Sequence, residues 1–425
     1  MTTKRSVFSW CLFDWANSSF PTVVGTFVFS VYFARAIFGD ETAGSAVWGY
    51  ALSFSGLVVA LISPVVGAVA DNTGRLKPWL FVFVLATVGP TALLWFALPD
   101  PSFVVFALAM VIAGSVMFEL ATVFYNALLP SVAPRHMMGR VSGWGWGLGY
   151  FGGLACLGLC LVGFVQPDTP WFGVGRDEAA NIRATAVVVA IWFLVFSLPL
   201  FLFTRDKPST GLGVRQAVGK GLATLLATLR AVRSYGQVVR FLIASALYRD
   251  GLSTLFAVGG LYAAGTFGLS FEQILVFAIG LNITAGLGAG AFAWIDDLFG
   301  SKRTIMIALA GLTVTGIPIL LIEDQTVFIA LALVLGIFVG PAQAASRTLM
   351  ARLSPADMET EFFGLYALTG RAVAILGPFA FALATDLFDS QRFGMATILV
   401  WFVIGGAILL TVREPKERGG DAGAA

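Results

Sequence analysis

Charge is scarce in this chain, and so are the side chains on which most enzymes rely. Asp, Glu, Lys and Arg make up only 12% of the 425 residues, while 58% belong to the apolar set; a soluble domain carries roughly 25% charged residues. Water is therefore not the main solvent for this protein. The single histidine, His136, sits in a basic stretch that suits solvation better than metal ligation. Cys11, Cys156 and Cys160 fall inside apolar runs, with neither metal spacing nor an oxidised framework. The chain has no Ser-His-Asp set, zinc-ligand pattern or phosphate-binding loop, which argues against a membrane enzyme and a primary pump. No cofactor, metal or nucleic-acid partner is expected. Gly147-x-Gly149-x-x-Gly152 spells a dinucleotide fingerprint, but no strand precedes it. Asn17-Ser-Ser19 and Asn282-Ile-Thr284 spell glycosylation acceptors, yet both lie in apolar runs.

Long apolar runs are what the chain has in abundance. At about 1.5 Å of rise per residue, roughly 20 helical residues cross about 30 Å of hydrocarbon. Twelve runs qualify: 7–36, 46–70, 79–98, 103–130, 141–165, 181–203, 239–267, 272–294, 304–322, 326–351, 361–385 and 392–411. Barrel strands would show short alternating segments instead, so an all-α membrane protein with 12 transmembrane helices is expected. The first run follows Lys4 and Arg5 as a signal peptide would, but Asp14 interrupts it and further runs follow, so it reads as a retained helix.

With the N-terminus cytoplasmic, 18 of the 26 Lys and Arg residues fall in cytoplasmic loops and tails, including Lys416 and Arg418, and the opposite loops hold only Arg176. The positive-inside rule then places both termini in the cytoplasm, and the net charge of +2 adds little. The longest polar break divides the chain into 1–203, a linker 204–238, and 239–425. Within the linker, Val218, Leu222, Leu225, Leu229 and Val232 share a helical face among Arg215, Lys220, Arg230 and Arg233. This predicts a helix lying on an anionic leaflet, with a flexible basic tether as the alternative.

The chain also repeats itself. Asp71-Asn-Thr-Gly-Arg-Leu-Lys77 is echoed 226 positions on by Asp297-Leu-Phe-Gly-Ser-Lys-Arg303, and Ala133-Pro134 with Gly143 and Gly149 returns 221 positions on as Ser354-Pro355 with Gly364 and Gly370. A parallel duplication of six helices would place these parts so.

Gly67-Ala-Val-Ala-Asp71-Asn-Thr-Gly74-Arg75-Leu-Lys77 resembles the signature loop of the major facilitator superfamily. Phe13-Asp-Trp-Ala-Asn-Ser-Ser-Phe20 and Gln343-Ala-Ala-Ser-Arg347-Thr-Leu-Met-Ala-Arg352-Leu-Ser-Pro355 are similar to the branch holding the fungal autophagy-related vacuole effluxers and their bacterial relatives, a family associated with amino-acid export. The resemblance implies two six-helix halves and a central path lined by helices 1, 4, 7 and 10. It also implies a meeting of helices 5 and 8, where Gly145, Gly149 and Gly153 and the run Gly286-Leu-Gly-Ala-Gly290 allow close packing. Loops at Asp71, Gly74 and Arg75, and at Asp297 and Gly300, would act as gates. Two departures stand out: Ser301 where the first loop has Arg75, and Tyr248-Arg249-Asp250-Gly251 where this branch has Tyr-Asn-Asp-Gly. Gly74-Arg75-Leu76-Lys77-Pro78-Trp79 also fits the related loop of sugar and glycoside symporters.

An ionisable side chain at a helix centre costs on the order of 2.5–3.5 kcal/mol on insertion scales, so it marks a cavity or a partner. Asp14, Glu119, Arg249, Asp250 and Arg371 are mid-span, and Arg347 is deep in span 10. Asp14, Glu119 and Asp250 are candidate proton carriers, Glu119 and Asp14 the stronger two; each also reads as one arm of a buried ion pair, Asp250 most of all, because Arg249 beside it points about 100° away and each needs its own partner. Arg371 could read a substrate carboxylate or pair with Glu119 or Asp14. Arg249 and Arg347, with Asn17, Ser18, Tyr125, Asn126, Tyr248, Asn282 and Gln343, complete the candidate substrate site. The expectation is a secondary transporter, monomeric and in a bacterial cytoplasmic membrane, moving a small solute such as an amino acid with protons. Sugar or glycoside cation symport is second. The outward loops, the longest about 166–180, leave no room for a receptor ectodomain.

Overall fold

The computed structural model describes residues 3–414; Lys416 and Arg418 lie outside the described residues, as do the side chains of Val232 and Arg233. Twelve helices are long and apolar enough to cross a membrane: spans 1 to 6 are Lys4–Ile37, Glu41–Thr73, Lys77–Phe96, Pro101–Ala127, Arg135–Val165 and Asp177–Phe203, and spans 7 to 12 are Gly236–Phe267, Glu272–Phe299, Ser301–Leu321, Gln325–Leu353, Glu359–Phe388 and Gln391–Leu410. They are the expected twelve. Span 5 begins six residues before its apolar run, because a helix keeps its backbone bonded whatever the polarity of its side chains. The described chain ends, Thr3 and Glu414, lie on one face.

Several spans depart from continuous α-helix, span 5 among them with π-helical winding over Leu161–Val165, and in spans 1 and 11 a proline sits at the break. In span 1 the α-helix Lys4–Asn17 gives way to π-helical winding over Phe20–Phe27, which contains Pro21, and Val28 N–H reaches Val23 O at 3.0 Å. Span 11 is two helices, Glu359–Val373 and Leu376–Phe388. Pro378 lacks the N–H that the carbonyl four residues earlier would need.

The halves touch along two glycine-lined seams. A Cβ on Gly67 of span 2 would lie 2.5 Å from Thr360 O, and one on Gly364 of span 11 would lie 2.6 Å from Ser63 O. A Cβ on Gly143 of span 5 would meet Ala289 O and Ala293 Cβ of span 8, both at 2.6 Å. Gly145, Gly149 and Gly153 do not face span 8 as expected. They pack on span 1, against Asp14, Ser18 and Thr22. Two helical residues turn the chain by about 200°, so the stripe offset by two, Gly143 and Gly147, faces span 8 instead.

The linker helix Val214–Arg230 forms, but one face binds protein. Ala217, Leu225 and Thr228 are buried, and a Cβ on Gly221 would lie 2.8 Å from Val69 Cα of span 2. Leu225 was expected on the leaflet-facing stripe; span 2 covers it, and the exposed apolar stripe is Val218, Leu222, Leu226 and Leu229.

Gly143→Leu is expected to lose about 1–3 kcal/mol, the usual cost of overpacking, whereas Gly290→Leu, whose Cβ meets nothing within 4 Å, should be neutral. Thermal unfolding of both variants beside the parent in detergent reads the difference. Equal melting temperatures would mean that spans 5 and 8 do not approach closely at Gly143.

Candidate functional site

A cavity of ≈ 370 Å³ lies at mid-depth where spans 1, 4, 5, 7, 10 and 11 meet. Span 1 contributes Asp14, Asn17 and Ser18, and span 4 contributes Glu119 and Asn126. Arg249 and Asp250 enter from span 7, Gln343 and Arg347 from span 10, and Arg371 from span 11. Ten of the thirteen candidate substrate and proton residues therefore share one cavity. Tyr125 and Tyr248 stand behind its wall. Tyr125 Oη donates to Trp10 O at 3.0 Å while Trp10 Nε1 donates back to Tyr125 O at 3.2 Å, and Tyr248 Oη shares a hydrogen bond of 2.6 Å with Ser346 Oγ. Asn282 is elsewhere, donating to Ala278 O at 2.9 Å and lining a second, largely apolar cavity of ≈ 450 Å³ that meets the first at Pro21.

Three guanidinium groups and three carboxylates face the central cavity, and they are not equally held. Arg347 is 4% exposed and fully engaged. It donates to Asp14 Oδ2 at 2.8 Å, to Ser142 Oγ at 2.9 Å and to Ser142 O at 2.7 Å, with Asn126 Oδ1 at 3.4 Å. The Trp10 ring lies 4.6 Å away and Trp146 5.6 Å. This is a pin between spans 1, 5 and 10, with too many donors committed to leave one for a solute. Arg371 pairs with Glu119 across the halves, and both side chains remain partly open to the cavity. Arg249 lies over the Tyr366 ring at 4.0 Å and, among the described residues, has no carboxylate within 4.0 Å. Asp250 accepts the Gly377 N–H at 2.6 Å. Ser142, Trp146, Tyr150 and Tyr366 were not anticipated. Tyr150 Oη donates to Gln343 Oε1 at 2.6 Å, and only a tryptophan set among glycines hinted at Trp146.

Below the cavity, towards the termini, each half closes on the other through acid at a helix start. Asp71, at the end of span 2, accepts the N–H groups of Thr360 at 3.3 Å and Glu361 at 2.8 Å in the first turn of span 11. Asp297, at the end of span 8, accepts those of Gly139 at 2.8 Å and Arg140 at 3.2 Å near the start of span 5, plus Arg140 Nε at 2.6 Å. Unpaired N–H groups and the helix dipole make a helix start favourable for an anion. Gly74 and Gly300 end spans 2 and 8 at φ of 79° and 91°, a region that suits glycine. Arg75 is exposed and forms no ion pair among the described residues, so Asp71 meets backbone rather than its neighbour in sequence.

A second matched pair was missed. Asp206 accepts from Leu76 N at 2.9 Å and Lys77 N at 3.2 Å, and Glu414 from Ser301 N at 3.0 Å and Lys302 N at 2.9 Å. Lys77 and Lys302 each reach carbonyls at the end of the sixth span of their half. The signal was present in the sequence as Arg205-Asp206 and Arg413-Glu414, each just past a sixth span. The cross-half contacts of Asp71 and Asp297 shut the termini face. On the other face spans 2 and 11 part, leaving Tyr50 and Phe54 of one and Phe379 and Leu383 of the other exposed.

Twelve spans in two mutually capped halves around one charged, solute-sized cavity define a transporter of the major facilitator superfamily. Solved structures share the fold. The proton:xylose symporter XylE bound to 6-bromo-6-deoxy-D-glucose matches at a TM-score of 0.76 and 14% identity over 96% of each chain. The human organic anion transporter MFSD10 matches at 0.74 and 16%, over 96% of this chain and 99% of that one. Residues 34–421 match the family described as vacuole effluxer Atg22 like, and the chain belongs to that family. YxiO of Bacillus subtilis, described as an uncharacterized MFS-type transporter, is 27% identical over 417 residues, 96% of this chain and 94% of the relative. Autophagy-related protein 22-1 of Aspergillus fumigatus is 22% identical over 305 residues, 65% of this chain and 49% of that protein, so the match spans only about half the fungal relative.

Asp71→Asn and Asp297→Asn should each favour opening at the termini face by about 1–2 kcal/mol, the scale of one charge-assisted hydrogen bond. Reaction rates of cysteine labels placed at the two mouths report the balance. Unchanged rates at both mouths in a well-expressed variant would reduce that loop to a topology signal.

Proposed function

We propose that this protein moves a small zwitterion, of the amino-acid kind, by proton-coupled alternating access. The observation carrying the proposal is the charge pattern of the central cavity. Among the described residues Arg249 offers a cation with no counter-ion, and the Glu119–Arg371 pair is half open and able to exchange partners. A carboxylate on the solute would go to a guanidinium and an ammonium to a carboxylate, replacing one ion pair by two. The ≈ 370 Å³ of space suits a solute of that size. Asn17, Ser18 and Gln343 are placed to orient it, while Tyr125, Tyr248 and Arg347 support the wall.

Proton coupling is assigned to the carboxylates facing the cavity, Asp14, Glu119 and Asp250. Gating is assigned to the cross-half contacts of Asp71 and Asp297 with the turns at Gly74 and Gly300. Basic residues on the termini face support a cytoplasmic location for both ends. The near full-length likeness to a Bacillus protein supports residence in a bacterial cytoplasmic membrane. A single chain encloses the whole cavity, which supports a monomer as the working unit. Sugar or glycoside cation symport is the second reading, favoured by Gly74-Arg75-Leu76-Lys77-Pro78-Trp79; six ionisable groups facing a neutral solute weigh against it.

Amino acids should raise the melting temperature of the purified protein, since a ligand of the folded state stabilises it, and glycosides should not; the reverse result would select the second reading. Arg371→Lys keeps the charge but loses the two-pronged donor, so it should weaken binding of an amino acid by about tenfold or more. Its effect on the corresponding amide should be much smaller. Equal losses by calorimetry would show that Arg371 reads no carboxylate. In proteoliposomes, Glu119→Gln or Asp14→Asn should abolish uphill uptake under a pH gradient and keep part of the exchange. Undiminished uphill uptake in both would remove them from coupling.

A further inference from the structure

Span 11 is severed at Ala374 and Ile375, and its outer part, Leu376–Phe388, starts as a separate helix inside the protein. A helix start carries N–H groups that the helix itself cannot satisfy. Pro378 has none to offer, and the N–H of Gly377 is taken by another span: Asp250 Oδ2 of span 7 accepts it at 2.6 Å. A Cβ on Gly377 would lie 2.9 Å from that oxygen and collide with Thr254 Oγ1, so the approach requires glycine.

Two polar atoms are left over at this contact. Among the described residues, Asp250 Oδ1 and Thr254 Oγ1, one helical turn apart on span 7, have no hydrogen-bond partner, in residues only 3% and 0% exposed. Asp250 is also the one carboxylate of the cavity without a cation within 4.0 Å among the described residues. The charged and titratable groups around it are otherwise engaged. Arg249 on its own span lies over Tyr366 of span 11, Arg371 of span 11 is paired with Glu119 of span 4, and Arg347 of span 10 is paired with Asp14 of span 1. Beside Gly251, span 12 presents Trp401 and Phe402. Protonating Asp14 or Glu119 would strand a guanidinium. Protonating Asp250 strands nothing.

We infer that Asp250 passes proton binding to the outer gate by holding or releasing the start of the outer half of span 11. The inference rests on the proton-coupled reading above and adds to it what Asp250, one of its three carboxylates, acts on. As an anion, Asp250 gives Gly377 a charge-assisted hydrogen bond and complements the positive end of the half-helix. A proton arriving from the outer solution on Oδ1 converts that bond to a neutral one, and the unsatisfied Thr254 hydroxyl facing the same space accepts the new O–H. The half-helix is then held less tightly and can swing over the cavity. Loss of the proton seats it again. Asp250 is a positioning residue in this scheme, acting through Leu376–Phe388.

The test uses the full chain carrying spin labels at Tyr50→Cys and Leu387→Cys, both exposed on the outer parts of spans 2 and 11; the three native cysteines are buried. Acidification should move the ratio of near to far label distances in the parent by about tenfold, equivalent to about 1.4 kcal/mol. Asp250→Asn should hold the near population at every pH. Thr254→Val, the milder change, should move the midpoint to lower pH, because it removes the acceptor for the neutral acid. A pH response that persists in Asp250→Asn, an unmoved midpoint in Thr254→Val should the first variant not fold, or a response to Na⁺ at fixed pH in place of protons would overturn the inference. Proteoliposome uptake separates the two levels. A parent without pH-driven accumulation defeats the proton-coupled reading itself; a parent and an Asp250→Asn that accumulate equally defeat only the role of Asp250.

Discussion

The structure depends on one requirement of the peptide backbone: a helix that begins inside a membrane protein must have its first N–H groups satisfied. Here acids from elsewhere in the chain meet it. Asp71 and Asp297 do so between halves, Asp206 and Glu414 within each half, and Asp250 at the break in span 11. In water each such bond would compete with solvent. Away from solvent the alternative is an unsatisfied donor, so the bond decides which helices stay together. With the termini face shut, Asp71 and Asp297 are both engaged across the halves.

The central cavity follows a related rule for charge. Guanidinium groups pair with carboxylates from other spans, at Arg347 with Asp14 and at Arg371 with Glu119, and an exception such as Arg249 is where a solute can enter the balance. Because the pairs join the two halves, exchanging a partner for a solute group also alters what holds the halves together. Recognition and movement thus draw on the same few side chains.

Much of this was legible in the sequence because membrane spans are the most redundant signal a chain carries. The twelve apolar runs, the duplicated loop and the mid-span charges led to the fold and to most of the cavity. Where the reading missed, the missing information was angular or long-range. Gly145 and Gly143 differ by two residues and face different helices, and Leu225 lies under span 2 while Leu226 does not. Whether Asp14 meets Arg347 or Arg371 depends on the packing of three spans. No local pattern encodes it. The break in span 11 before Pro378 was not read from the sequence, and nothing local says which acid would cap it.

The linker helix sets a mechanical limit. With Val214–Arg230 lying along span 2, the chain that remains free between the halves runs only from Ala231 to Tyr235 before span 7 begins at Gly236. Fully extended, so short a segment reaches about 20 Å. It acts as a leash: the two halves can tilt at the termini face only within that reach unless the helix peels away from span 2.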